Sequence, residues 1–367
     1  MKHLNLTHAV LFAFLVLTPK SEAQPISVGG EVFTLVATNA GDIQLYGLAA
    51  DAQGNLYAGN NSNLRTTGIP LQRFRPSLFT GTAILFESVG PSCSDGDGMA
   101  FGADHLYVAD ANVGVRRISS LDGSATIFTA AAGTDLCGSA LVFRTSDEHL
   151  LSNVGCRTTQ IREFDSAGQF VTNYATTTGV QTMAFDAPSG TIYYASFPGG
   201  EVHAYDLAGR TDALIATIDG SIDGGLAVDR ISNRLFVGTA NGANQGRVYT
   251  IDLATHTVRL FASGFDGCLG ILREQVSGDL YFLEAHNLYR LTSTNVVFSP
   301  KLFIWPAVEL GWISDTNQTY QVQWASELDT NAWTDFGPPV QGTGMTNFLF
   351  DTTRTGPKRF YRVIVQP

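Results

Sequence analysis

The sequence predicts an all-β protein: a six-bladed β-propeller whose last blade is completed by an N-terminal strand, followed by a small β-sandwich. Three observations carry that expectation. Six segments repeat a strand–turn–strand pattern at nearly constant spacing. One strand lies upstream of the first repeat, and the last repeat stops one strand short. All four tryptophans fall in the last 63 residues, a break in composition.

The chain has 367 residues, enough for two domains. Residues 1–23 read as a signal peptide. Met1-Lys2-His3 is a weakly basic start, and 10–17 is an apolar run too short to span a bilayer with ease. Ser21-Glu22-Ala23 is a small-x-small exit, which sets cleavage before Gln24. An uncleaved N-terminal anchor is the alternative. Beyond residue 23 no apolar run is long enough to cross a membrane. The mature chain is therefore expected to be secreted, or to lie in the periplasm or cell envelope, without a membrane span.

The propeller is expected over 24–297. Its units run Gly47-Leu48-Ala49-Ala50-Asp51 with Asn55-Leu56-Tyr57-Ala58, Gly98-Met99-Ala100-Phe101 with His105-Leu106-Tyr107-Val108, and Ala140-Leu141-Val142-Phe143 with His149-Leu150-Leu151-Ser152. The later three are Thr182-Met183-Ala184-Phe185 with Thr191-Ile192-Tyr193-Tyr194, Gly225-Leu226-Ala227-Val228 with Arg234-Leu235-Phe236-Val237, and Gly270-Ile271-Leu272 with Asp279-Leu280-Tyr281-Phe282. Anchored on Leu48, Met99, Leu141, Met183, Leu226 and Ile271, the steps are 51, 42, 42, 43 and 45 residues. A step near 42 accommodates about four short strands and their turns. The sixth unit ends at Leu288-Tyr289-Arg290-Leu291. The stray Glu31-Val32-Phe33-Thr34-Leu35-Val36 would complete it, close the ring and remove an open edge. Seven blades or a sandwich are the alternative arrangements.

Residues 298–367 are expected to form the second domain, with Ser299-Pro300 as hinge. Val308-Glu309-Leu310-Gly311-Trp312, Tyr320-Gln321-Val322-Gln323-Trp324 and Phe360-Tyr361-Arg362-Val363 alternate in strand fashion. Two readings of the tryptophans stand: filling of a small core, or exposed rings that bind sugar.

Two family resemblances follow from these residues. Gly47-Leu48-Ala49-Ala50-Asp51-Ala52-Gln53-Gly54-Asn55-Leu56-Tyr57-Ala58, and Leu106-Tyr107-Val108-Ala109-Asp110 with Asn112, resemble NHL-type and gluconolactonase-type six-bladed propellers over most of 31–292. The tail resembles the fibronectin-III-like or immunoglobulin-like modules that end many secreted bacterial proteins, at a length short for a full module. The propeller resemblance implies a fold and leaves the activity open, since that fold hosts lactonases, lyases and binding modules.

Composition excludes some chemistry. Residues 24–297 carry 15 arginines, no lysine and 26 acids, within a chain of net charge −11. Such a surface repels a phosphate backbone, so nucleic acid is not an expected partner. Without lysine, Schiff-base chemistry is excluded from this domain. There is no Cys-x-x-Cys zinc spacing, no Gly-x-Ser-x-Gly elbow and no phosphate-binding loop.

The candidate site is the face where loops before each innermost strand meet loops after each second strand. The first set carries Asp95, Asp97, Asp135, Gln181, Asp223 and Asp266; the second carries Asn60, Asp110, Asn153, Ser196, Asn241, Glu284 and His286. Asp97-Gly98-Met99-Ala100 is similar to an Asp-Gly-Met-Ala segment of the gluconolactonase family, where the aspartate is associated with a metal, and Asp223-Gly224-Gly225-Leu226 is a looser copy. The resemblance therefore implies Ca²⁺ at Asp97 and Asp223, polarising a lactone carbonyl or activating water. The family's glutamate near 45–48 and its asparagine-glycine before Leu141 or Met183 have no counterpart here. A plain turn at Asp95-Gly96-Asp97-Gly98 is the competing reading. An EF-hand is not supported, because the twelfth position from Asp95 is Leu106. Glu284 and His286 read either as an acid–base pair or as polar rim contacts; His105 and His149 belong to the opposite edge.

Four cysteines in an oxidising compartment pair in three ways. With Phe143 opposite His149, Cys137 and Cys156 fall nearly opposite each other, as a disulfide requires. Cys93 and Cys268 both lie in loops of the mouth, where a bond would bridge it. The reading that follows is an exported propeller that binds a protein, glycan or small-molecule ligand at its loop-rich face. One alternative is a calcium-assisted lactonase-like hydrolase; a second is a structural protein of the cell envelope or matrix.

Overall fold

A computed structural model describes residues 24–39, 44–60, 69–93, 96, 98–111, 113–119, 123–130, 140–153, 158–196, 199–241, 245–275, 277–292, 308–328, 332–351 and 359–366. The signal segment, Asp95, Asp97, Asn112, Asp135, Cys137, Cys156 and the Ser299-Pro300 hinge lie outside the described residues. The chain divides into two compact units, Met1–Val296 and Val297–Pro367. Among the described residues no helix is long and apolar enough to cross a membrane.

The first unit is all β. Its described strands form six antiparallel four-stranded sheets, each built largely from consecutive strands. The first holds Leu45–Ala50, Leu56–Asn60, Ile69–Phe74 and Glu87–Cys93. The second holds Met99–Gly102, His105–Asp110, Gly114–Ser119 and Ala125–Ala130. The third holds Leu141–Arg144, His149–Asn153, Gln160–Phe164 and Phe170–Ala175; the fourth holds Thr182–Asp186, Thr191–Ala195, Glu201–Asp206 and Thr211–Thr217. The fifth holds Ser221–Asp229, Arg234–Asn241, Arg247–Asp252 and Val258–Ser263. The sixth begins with Gly270–Arg273, Leu280–Leu283 and Asn287–Thr292 and takes Val32–Thr38 as its fourth strand. The first strand of each sheet packs against the first strand of the next, and the sixth returns to the first, so the sheets form a closed ring.

Two short strands extend this pattern. Ile26–Ser27 pairs with the outer strand of the fifth sheet, and Ile84–Leu85 runs parallel to Ala37–Thr38 outside the sixth. Each covers an edge that would otherwise present unpaired backbone groups. The third hairpin differs by one residue from the expected register: Arg144, not Phe143, faces His149. A four-residue turn, 145–148, accounts for the shift, with Glu148 at φ 60°.

Aspartates end many of these strands, and the hairpins show why. Asp51 Oδ1 accepts the backbone N–H groups of Gln53 and Asn55 at 2.9 Å each. Asp165, Asp206, Asp229 and Asp252 accept the N–H two residues on in the same way. These are Asx turns, in which the carboxylate replaces a backbone acceptor. The cores lie between neighbouring sheets. The largest aromatic one joins the fifth and sixth, where the Phe33 ring meets Phe265 and Phe282 edge-on at 5.3 Å.

The second unit has two small sheets. Val308–Ile313 pairs with Thr346–Asp351, and Thr319–Ala325 pairs with Phe360–Gln366, Thr334–Asp335 and Val340–Gln341. Arg359 stacks over the Trp324 ring at 4.0 Å, and Arg362 over Trp333 at 4.4 Å. Each guanidinium covers one face of its ring.

The channel cavity as candidate functional site

At the centre of the ring the six repeat anchors converge. Leu48, Met99, Leu141, Met183, Leu226 and Ile271 all line one cavity of about 70 Å³. Side chains alternate along a strand, so one residue per innermost strand faces the axis at each level. The anchors are apolar, and Tyr46 and Thr182 line the cavity with them. Its polar rim comes from the fourth and fifth sheets, where Gln181 Nε2 donates to Asp223 Oδ1 at 2.8 Å. Gln181 is fixed in turn by its backbone N–H, which donates to the Ala195 carbonyl at 2.9 Å.

Asp223 is the one carboxylate among the described residues lining this cavity; no histidine, lysine or cysteine lines it with them. Calcium takes six to eight oxygens, and this donor set does not meet that demand. The position where the resemblance places a glutamate shows a physical reason. The pairing register slips between Tyr46 and Leu48, and Gly47 sits in the resulting bulge at φ 61°. A left-handed backbone there favours glycine over any acid.

The residues expected after each second strand do not form an open polar face. Asn60, Asp110, Asn153, Ser196 and Glu284 are buried. Asp110 pairs with Arg116 at 2.6 Å. Asn153 accepts the Ala140 N–H and donates to the Val180 carbonyl, joining the third sheet to the approach of the fourth. Glu284 accepts from the Asp266 N–H at 2.9 Å, from Asn287 Nδ2 at 2.6 Å and from the Tyr289 hydroxyl at 3.1 Å. Asn153 and Glu284 serve the fold, because each satisfies loop or strand-end groups that would be orphaned inside, whereas Ser196 Oγ has no hydrogen-bond partner among the described residues. Asn241 closes its strand opposite Ser221, and Asp266 itself is exposed.

Glu284 and His286 point to no shared interaction. No hydrogen bond joins Glu284 to His286 among the described residues. His286 is half-buried, its carbonyl accepts the Asn39 N–H at 2.8 Å, and its Nδ1 has no hydrogen-bond partner among them. The Cys93–Cys268 bond does not form. Cys93 closes the outer strand of the first sheet, Cys268 lies between the fifth and sixth, and both are buried free thiols in separate cores. Burial pushes the Cys93 thiol up to about 12 and also raises that of Cys268.

One acidic cluster escaped the sequence reading. At the third hairpin, His149 Nδ1 and Arg144 Nη2 each lie 2.5 Å from Glu163 Oε1, and Arg144 Nε bonds Asp147 at 2.9 Å. Asp147, His149 and Glu163 are the described group whose ligand atoms come close enough to hold a metal ion. The guanidinium already between two of these acids opposes a second cation there. Burial works to raise the Glu163 pKa, but bonds from Tyr174, His149 and Arg144 outweigh it and hold the carboxyl below its ordinary range.

Comparison with solved structures fits this geometry. A gluconolactonase from Xanthomonas campestris superposes with a TM-score of 0.57 at 19% identity, over 73% of this chain and 91% of that one. A luciferin-regenerating enzyme superposes with a TM-score of 0.53 at 12% identity, over 72% and 96%. This chain shares their β-propeller fold. No family model matches the sequence, and no curated protein sequence matches it. Identities this low establish the fold and leave the chemistry to the residues.

Proposed function

We propose that this protein is an exported binding module whose propeller recognises a ligand at the channel mouth, followed in the chain by a fibronectin-III-like or immunoglobulin-like module. One observation carries the reading: six apolar anchors, one from each sheet, meet Tyr46, Thr182 and the Gln181–Asp223 amide–carboxylate pair around one central cavity. That set offers shape, apolar contact and two directed hydrogen-bonding groups, the ordinary chemistry of recognition. At about 70 Å³ the cavity is well below the volume of a whole small-molecule site, so the fit is to a single hydroxyl- or amide-bearing group at the tip of a larger ligand.

The competing reading is a calcium-assisted lactone hydrolase using Asp97 and Asp223. It keeps Asp223, which does line the cavity, and needs further oxygens from residues outside the described set. A single experiment separates the two. The full-length protein is screened against glycans and small metabolites by thermal shift, and against a lactone panel with and without millimolar calcium. The binding reading expects ligand shifts that Gln181→Leu and Asp223→Asn both weaken, and no lactone turnover. Calcium-dependent turnover that Asp223→Asn abolishes would overturn it in favour of the hydrolase.

A further inference from the structure

A second cavity lies away from the channel, between the first and second sheets. It has a volume of about 300 Å³ and shares no lining residue with the channel cavity. Its walls are Leu71 and Val89 from the first sheet and Phe101, Leu106 and Ile118 from the second. Arg73 and the Tyr57 phenol also line it.

The cleft has a cause in the chain. The first repeat step is 51 residues against 42 for the next. Part of the excess enters the outer strand of the first sheet, where Pro70 faces Ser92 but Leu71 faces Val89. Gly90 and Pro91 are thus left over as a bulge, with Gly90 at φ 69°. A bulge bends the strand that carries it. The equivalent space between the second and third sheets is filled by aromatic rings: Tyr107 stacks on Phe143 at 5.3 Å and meets Phe128 edge-on at 5.0 Å. At the first interface no ring from the outer strand enters, and the space stays open.

Its polar end is cationic. Arg73 donates to Glu87 Oε2 through Nε at 3.1 Å and Nη2 at 2.9 Å, and Arg75 bonds the other oxygen of the same carboxylate. Two guanidiniums therefore share one acid. Asp51 is committed to two backbone N–H groups, to Asn55 and to the Tyr57 hydroxyl. Among the described residues lining the cleft, Arg73 is the one charged side chain, which suits the cleft to an anion with an apolar body.

We propose that this cleft binds a small aromatic monocarboxylate, its ring between Phe101, Leu106 and Val89 and its carboxylate on Arg73. Guanidinium and carboxylate match in charge and planar geometry, and the volume lies at the lower end of small-molecule sites. The test uses the full-length protein titrated with phenylacetate by ligand-observed NMR, with 2-phenylethanol as the uncharged analogue. Phenylacetate is expected to bind more tightly than the alcohol. Arg73→Gln should weaken phenylacetate by about tenfold and leave the alcohol nearly unchanged. Val89→Trp should abolish both by filling the cleft. No phenylacetate binding up to about 10 mM would overturn the proposal, as would binding that survives both variants. If Val89→Trp fails to fold, the charge dependence measured with Arg73→Gln still decides.

Discussion

At the scale of single residues, the acids of this chain divide by what their oxygens accept. Asp51 is the clearest structural case. It is buried, ends the first strand of the first sheet, and takes two backbone N–H groups, the Asn55 amide and the Tyr57 hydroxyl. Asp51→Ala would leave these donors inside without an acceptor. The expected cost is about 1–3 kcal/mol, read as a lower urea midpoint at unchanged slope. Asp51→Asn, which keeps one acceptor oxygen, should recover part of it. Asp223 is the opposite case. It sits on a cavity rim, so Asp223→Asn is expected to change ligand recognition while moving the same midpoint little.

At the scale of elements, the third hairpin has a defined response to acid. Glu163 binds Tyr174, His149 and Arg144, and its pKa is lowered in the fold although burial alone would raise it. A carboxyl lowered by folding stabilises above its unfolded pKa and loses that contribution as pH falls through the folded value. Glu163→Gln should therefore cost about 1–3 kcal/mol at pH 7. The gap between variant and parent should shrink as pH falls below the ordinary carboxylate range. A gap constant from pH 7 to pH 3 would remove the charge from this account. The fifth and sixth sheets are joined instead by apolar packing, so Phe282→Ala should cost about 3–5 kcal/mol without pH dependence, Phe282 being fully buried. Elements of this size were largely legible in the sequence. Strand alternation and Asx turns are local, and all six repeat anchors reached one cavity. The two-residue strands at 26–27 and 84–85 were not legible, because their partners lie far away in the chain. The same limit hid the Gln181–Asp223 bond, which spans 42 residues. It also made Asp110, Asn153 and Glu284 look like rim groups, since a sequence shows that a strand-end residue is polar and not which way it turns.

At the scale of the whole molecule, the four cysteines report on both export and folding. Cys93 and Cys268 are sealed in separate cores, with thiols raised far above neutral pH by burial. Reagents attack the thiolate, so the folded protein should resist alkylation at pH 8 except through unfolding. Cys137 and Cys156 are a different pair. The third hairpin sets Leu141 opposite Ser152 and Arg144 opposite His149. Cys137 and Cys156 lie outside the described residues, and the disulfide we propose between them rests on their near-symmetric spacing about this hairpin in the sequence. Protein secreted through an oxidising compartment, denatured without reductant and titrated for thiols, is then expected to show two per chain. The same protein titrated while folded should show none. Four thiols on denaturation would sink the Cys137–Cys156 bond, and none would mean that Cys93 and Cys268 had paired despite their separate cores. Peptide mapping of the alkylated sites then assigns the count to residues. Reduction under native conditions should open only the proposed bond, so any loss of stability it causes is the contribution of that one loop closure.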